Sequence, residues 1–139
     1  MTAPRPLGPA RVQDVAADED VVRVRQLVRS VAVAARLSLV EQTKLVTAAS
    51  ELARNALAYA GGGRVEVETV TNGRRTGVRV TFVDAGPGIA DLELALTDGY
   101  STGTGLGLGL PGARRLVDDF EIETKVGRGT RVTTIKWSR

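Results

Sequence analysis

The chain has 139 residues, which is enough for one domain with a hydrophobic core and too few for two domains of ordinary size. Hydrophobic residues make up 42% and charged residues 25%, as is typical of a folded domain rather than a disordered segment. The net charge is +3, and the sequence contains neither cysteine nor histidine, so disulfides, thiolate metal sites and imidazole catalysis are excluded.

The N-terminal residues 1–10 contain three prolines and are predicted to form a flexible tail ahead of a single domain over residues 11–139. They lack the apolar core of a signal peptide, and no apolar run approaches the roughly 20 residues that cross a bilayer. A cysteine-free chain suits a reducing compartment, so we expect a cytoplasmic protein without a membrane partner. Nucleic acid is not expected as a partner either, because no cluster of basic and aromatic residues is present.

Two helices are predicted after a short strand at residues 11–16. Apolar residues at helical spacing predict the first helix over residues 18–37, with a buried stripe of Val24, Val28, Val31 and Ala35. Ser38 and Glu41 form the pattern of a capping box and predict the start of a second helix. The glycines that follow Ala60 are predicted to end it.

Three arginines, Arg25, Arg29 and Arg36, are predicted to line one side of the first helix. Such a row is more often a solvated face than a docking surface for a partner. The sequence leaves both interpretations open.

The second half of the chain is predicted to form two strand pairs. Alternating apolar residues and turn signals predict strands at 64–70, 78–86, 120–126 and 130–137, with a helix over 109–118 between the pairs. This order predicts an α+β fold, a two-layer sandwich in which helices cover one face of a mostly antiparallel sheet.

Half of the 16 glycines lie between Asp84 and Gly112. Such a segment is either a flexible spacer or a place where backbone N–H groups converge on a phosphate. A Walker loop is excluded because no Gly-Lys-Ser/Thr follows at the required spacing. Residues 107–112 match the dinucleotide-binding pattern, but they lie late in the chain and Pro111 falls inside the turn, so that interpretation is rejected.

Glu51 and Asn55 lie four residues apart in the second helix and therefore share one face. We expect them at the edge of a buried stripe formed by Leu45, Ala48, Leu52, Ala56 and Tyr59. An amide oxygen suits Mg²⁺, and a nearby carboxylate can take the proton of an attacking hydroxyl. Two ordinary polar residues on a helix flank are the alternative.

Asp84 ends the stretch 78–84 of the second predicted strand, and the residues after it turn the chain sharply. A carboxylate in that place can accept a hydrogen bond from the exocyclic amine of adenine. The alternative is that Asp84 only starts the turn, as Asp often does before Gly and Pro.

Three motifs in this order resemble the GHKL ATP-binding family of gyrase, Hsp90, histidine kinases and MutL, whose Bergerat fold is then implied. They are E-x-x-x-N at Glu51–Asn55, D-x-G-x-G at Asp84–Gly88 and a glycine-rich lid at Gly103–Gly107. From about residue 11 onward the chain is similar to the small bacterial branch of serine kinases and anti-sigma factors. A self-phosphorylating histidine kinase is excluded, since the chain has no histidine.

The resemblance implies a role for each matching residue. Glu51 is implied as the general base, Asn55 as the ligand of Mg²⁺ and Asp84 as the residue that binds the adenine amine of ATP. The other implied nucleotide contacts are Gly86, Gly88, Gly103, Thr104, Gly105, Leu106, Gly107 and Thr130. We also expect residues 96–106 to be mobile without nucleotide.

The resemblance further implies a serine/threonine kinase that phosphorylates a STAS-domain partner in a partner-switching pathway. Its other target is then expected to be a PP2C-type phosphatase. One alternative is an anti-sigma factor that binds a sigma factor and is reset by phosphorylating its antagonist. A nucleotide-dependent scaffold without catalysis is less favoured, because Glu51 is present.

Overall fold

A computed structural model describes residues 3–88 and 109–139. The helices are α1 (Asp18–Ala34), α2 (Leu39–Ala60) and α3 (Gly109–Leu116). The strands are β1 (Arg5–Pro6), β2 (Arg11–Val15), β3 (Gly63–Thr71), β4 (Thr76–Asp84), β5 (Asp119–Lys125) and β6 (Gly129–Trp137). In these two ranges, no helix has both the length and the apolar character needed to cross a membrane.

The strands form one antiparallel sheet in the order β1-β3-β4-β6-β5, and β2 pairs with the same edge of β3 as β1 does. The two hairpins therefore join through β4 and β6. This pairing brings the end of β4 beside the start of β6, with Asp84 directly opposite Thr130.

The helices cover one face of this sheet. Because side chains alternate along a strand, Val78, Val80 and Phe82 of β4 share a face, and all three are buried in the core with residues of α1 and α2. Asp84 is the next residue on that face, so its side chain lies on the side of the helices. The predicted two-layer α+β sandwich with a mostly antiparallel sheet is confirmed.

The predicted stripe is buried, with Val24, Val28 and Val31 in helix α1 and Ala35 as its C-terminal cap. It ends at Ala34, before the predicted end at Leu37, because Arg36 adopts a left-handed backbone with φ 64°. The Leu37 N–H then donates to the Ala32 carbonyl, a bond typical of a helix C-terminus. Of the predicted arginine row, Arg25 and Arg36 are exposed, whereas Arg29 is half-buried and donates to Gln42 Oε1 at 3.3 Å.

Helix α2 has the predicted ends. The Glu41 N–H donates to Ser38 Oγ at 3.1 Å, and the Ser38 N–H donates to Glu41 Oε1 at 2.8 Å. Gly61, with φ 74°, caps the other end. The predicted stripe is buried except for Tyr59, which is 47% exposed. That part of the prediction is wrong because the apolar core follows α2 only as far as Ala53, with later residues at its margin.

The predicted tail is in part paired with the sheet. Arg5 and Pro6 lie opposite Thr71 and Val70 at the edge of β3, and the Leu7 N–H donates to the Thr69 carbonyl at 2.9 Å. Residues 5–7 are therefore bound to the sheet by their backbone rather than free. Its flexibility, and the boundary of the domain at residue 11, stay predictions.

A cluster of charges joins the C-terminal end of the sheet to α2. Asp118 Oδ2 accepts from the Trp137 N–H at 2.7 Å, while its Oδ1 lies 3.2 Å from Lys136 Nζ and 2.6 Å from Arg139 Nη2. Arg139 also approaches Glu41, with 3.7 Å between Nε and Oε2. Lys136 is buried, so its charge depends on Asp118 for compensation.

We expect Asp118→Asn to lower the free energy of unfolding by about 2 kcal/mol at neutral pH, because it weakens charge-assisted hydrogen bonds. Burial raises the pKa of Asp118, but the Trp137 N–H, Lys136 and Arg139 lower it by more, so the folded pKa lies below 3.8. The stabilisation by Asp118 is therefore fully present above about pH 5 and is lost as the pH falls through the folded pKa.

Urea unfolding of the wild type and Asp118→Asn at pH 7 and at pH 3 measures this effect. The difference in unfolding free energy is expected to shrink at the lower pH. Asp119→Asn is the control, since Asp119 is exposed and accepts a hydrogen bond from the indole of Trp137. A difference for Asp118→Asn that is equal at both pH values would contradict the prediction.

Candidate nucleotide site

Helix α2 carries the two residues that the sequence singled out for chemistry. Glu51 and Asn55 lie one turn apart, and Asn55 is half-buried as expected at the edge of the core. Glu51 is 7% exposed, deeper than the predicted position at the rim. Its Oε1 accepts from Arg54 Nη1 at 3.0 Å, and this arginine compensates the buried negative charge.

The end of β4 holds the predicted adenine-binding carboxylate. Asp84 is half-buried, and its Oδ1 accepts a hydrogen bond from the Gly86 N–H at 2.9 Å. Asp84 thus does start the turn, as the simpler interpretation proposed. Oδ1 is engaged in this way. A contact between the other oxygen, Oδ2, and the nucleotide stays a prediction.

Thr130 faces Asp84 across the β4–β6 pair. Opposite residues of an antiparallel pair share a face, with their Cβ atoms roughly 5 Å apart. The hydroxyl of Thr130 lies 2.9 Å from that of Thr124 on β5. The structure therefore lines one end of the site with a carboxylate and two hydroxyl groups, and Thr124 was not identified from the sequence.

Gly86 and Gly88 hold the turn after β4 against two other elements. A Cβ on Gly86 would overlap Ala60 at the end of α2, with only 2.8 Å to the Ala60 Cα. A Cβ on Gly88 would overlap the carbonyl of Lys125, at the end of β5. The Gly127 N–H also donates to the Pro87 carbonyl at 2.8 Å. The turn is thereby fixed between α2 and the β5–β6 hairpin.

The distance between the two ends of the site follows from α2. Gly86 packs on Ala60, nine residues after Glu51, which corresponds to about 13 Å along the helix axis. Asn55 lies between them. One helix therefore connects the turn that contains Asp84 with the Glu51 carboxylate.

The predicted lid residues Gly103, Thr104, Gly105, Leu106 and Gly107 lie outside the described residues, as does the 96–106 segment predicted to be mobile. The described chain resumes at α3, which begins at Gly109 and packs against α2. Ala113 of α3 is fully buried in the core. The glycine-rich stretch therefore ends beside the helix that carries Glu51 and Asn55.

Residues 40–138 match the family model of the histidine kinase-, DNA gyrase B-, and HSP90-like ATPases. The chain belongs to this ATPase family. Within this family it is 44% identical over 120 residues to the serine/threonine-protein kinase RsbT of Bacillus subtilis (strain 168), a match covering 86% of this chain and 90% of that kinase.

The fold of this ATPase domain is also similar to that of the mycobacterial sensor histidine kinase MprB. The TM-score is 0.55 at 18% identity, and the match covers 94% of this chain and 98% of the other chain. At that identity the likeness concerns the fold alone.

Both levels of the resemblance drawn from the sequence are confirmed. The GHKL motifs fall in a chain of the predicted family, and the similarity to the small bacterial serine-kinase branch holds over most of the chain. The chain is an ATP-dependent serine/threonine-protein kinase.

Proposed function

We propose that this kinase acts in the cytoplasm and transfers the γ-phosphoryl group of ATP to a serine or threonine hydroxyl of a STAS-domain partner. One observation carries the proposal. A buried carboxylate, Glu51, and a half-buried amide, Asn55, lie one turn apart on a helix whose end packs against the turn that begins at Asp84. This arrangement suits an extended nucleotide whose base and phosphates contact the two ends.

Asp84 and Thr130 are assigned to the base. Because Asp84 Oδ1 already accepts from the Gly86 N–H, its second oxygen is assigned to the amine of adenine. The missing side chain at Gly86 lets the turn approach Ala60 closely, and Gly88 does the same beside Lys125. Any larger residue at these positions would displace the wall of the base pocket.

Asn55 is assigned to Mg²⁺. Its amide offers a neutral oxygen, and Mg²⁺ is commonly held by one or two protein oxygens together with the phosphates of the nucleotide. The donor set on α2 therefore fits this ion. When bound, Mg²⁺ neutralises part of the phosphate charge and keeps the γ-phosphoryl group in place for transfer.

Glu51 is assigned as the general base. It accepts the proton of the partner's hydroxyl while the hydroxyl oxygen bonds to the γ-phosphorus. The bond between the γ-phosphorus and its bridging oxygen breaks on the opposite side, and its electron pair leaves with ADP. Glycine-rich residues 103–107 are proposed to wrap the phosphates with their backbone N–H groups.

Asn55→Ala is expected to weaken Mg²⁺-dependent ATP binding by at least about 10-fold, since the ion loses its protein ligand. Calorimetric titration with ATP, with Mg²⁺ and with EDTA, measures the change. Binding without the ion should be affected far less. The control is Thr47→Ala, because Thr47 lies on the same helix and its hydroxyl donates to the Thr43 carbonyl. Equal Mg²⁺-dependent affinity in the wild type and Asn55→Ala would remove the assigned role.

To test the proposal, the purified protein is incubated with Mg²⁺, γ-labelled ATP and one STAS-domain protein of the same organism at a time. Transfer of label to a serine or threonine of one of them is the expected result. We further propose a PP2C-type phosphatase as the second target, to be detected by co-elution after the substrate is phosphorylated. A stable complex with a sigma factor instead would favour an anti-sigma factor, and failure to bind any adenine nucleotide would overturn both.

A further inference from the structure

We infer that Arg54 is a positioning residue that holds the Glu51 carboxylate in the orientation needed to accept a proton. The inference rests on the proposed function of Glu51. Arg54 Nη1 lies 3.0 Å from Glu51 Oε1, with the arginine side chain 49% exposed and the glutamate side chain 9% exposed. Within residues 3–88 and 109–139, this is the one ion pair that Glu51 makes.

The contact selects one oxygen of the carboxylate. Oε1 is occupied by the guanidinium, so Oε2 is the oxygen that accepts the proton from the hydroxyl of the substrate. Without Arg54, the glutamate side chain is free to rotate about its last torsion, which is broad for this residue type. A displacement of about 1 Å at a reacting group is enough to cost on the order of 100-fold in rate.

A second pair in the same fold shows why this arginine matters. Asp20 and Arg23 of α1 have the same spacing and a similar N–O distance, 2.8 Å. Asp20 Oδ2, however, also accepts from the N–H groups of Ala16 and Ala17, at 2.8 and 3.1 Å. Asp20 therefore keeps its orientation without Arg23, whereas among the described residues Glu51 depends on Arg54 for its ion-pair contact.

The form of the contact decides which substitution should restore function. A single N–H···O bond joins Arg54 to Glu51, rather than a two-bond fork. Lysine can supply one donor and one positive charge, although it lacks the planar fork of arginine. Arg54→Lys is therefore expected to conserve the role that Arg54→Ala removes.

The test compares Arg54→Ala, Arg54→Lys and the matched control Arg23→Ala in phosphoryl transfer to the STAS-domain protein that the wild type labels. If none is labelled, the same variants are compared in the hydrolysis of ATP, in which water replaces the hydroxyl. We expect Arg54→Ala to lower kcat about 10- to 100-fold, with the KM for ATP unchanged within about 2-fold. Arg54→Lys and Arg23→Ala should stay within about 3-fold of the wild type.

A double variant supplies the second readout. In Glu51→Gln protein, Arg54→Ala is expected to cause no further loss, because the group that it orients is already inactive. An unchanged kcat in Arg54→Ala overturns the inference and leaves the proposed function intact. A raised KM for ATP or for the protein substrate, with kcat unchanged, also overturns it, since Arg54 would then bind a substrate. A wild type that neither transfers phosphate nor hydrolyses ATP removes the proposed function and this inference together.

Discussion

Glu51→Gln is expected to lower the rate of phosphoryl transfer by about 100-fold or more while ATP affinity changes little. A general base typically contributes on the order of 100- to 10,000-fold, and an amide cannot take up the proton of a hydroxyl. Glutamine keeps the size of the side chain and can still accept a hydrogen bond from Arg54. Single-turnover transfer of labelled phosphate, together with calorimetric binding of ATP, separates the two quantities.

Glu41→Gln is the matched control for this experiment. Glu41 is the other buried glutamate of α2, but it serves the capping box at the start of the helix. Glutamine is accepted at that position of a capping box, so both the fold and the transfer rate should be retained. Transfer by Glu51→Gln at the wild-type rate would rule out Glu51 as the base.

Gly129→Ala is expected to lower the free energy of unfolding by about 3 kcal/mol. Gly129 is buried with φ 98°, a conformation that costs an L-residue about 1–2 kcal/mol. An added Cβ would also overlap the backbone carbonyl of Asp84 and come within 2.9 Å of the Ala85 Cα. Overpacking against rigid backbone adds about 1–3 kcal/mol. Since the clash involves Asp84, we also expect weaker binding of ATP.

Gly127→Ala separates strain from overlap. Gly127 lies in the same turn with φ 82°, but a Cβ there would meet no atom within 4 Å. Only the conformational penalty of about 1–2 kcal/mol is expected, with ATP affinity preserved. Urea unfolding and calorimetry on both variants provide the comparison. Equal losses of stability in the two variants would contradict the proposed close approach between Gly129 and β4.

The ends of α2 were predictable because their signals are local. Ser38, Glu41 and Gly61 each act within one turn of the helix, and the structure confirms all three. The α1 end was predicted three residues late, because an arginine occupies the left-handed position where glycine is the usual signal. Local chemistry thus predicts helix ends well only when the usual residue is present.

Contacts between distant segments could not be predicted from local sequence signals. The strands were predicted, but Asp84 faces Thr130 only because β6, and not β5, pairs with β4. No local pattern distinguishes these two pairings. Thr130 was assigned to the nucleotide only through the family resemblance, and the role of both residues there stays a prediction.

Arg54 was overlooked although its signal was present in the sequence. A glutamate followed three residues later by arginine is a common helical pair, usually worth little at the surface. What distinguishes Glu51 is its burial, which depends on how α2 packs against the sheet and α3. Sequence spacing alone carries no information on that packing.

The nine-residue interval from Glu51 to Ala60 limits where this enzyme can tolerate insertions and deletions. Each added or deleted helical residue rotates everything before it by about 100° and shifts it by 1.5 Å relative to the end of the helix. A single insertion between these positions would turn the carboxylate away while leaving the base pocket complete. Such a variant should lose transfer, and an insertion after Asn55 should also weaken the Mg²⁺-dependent binding of ATP, because the amide turns away together with the carboxylate. The length of this interval is therefore under a constraint separate from the identity of any side chain within it.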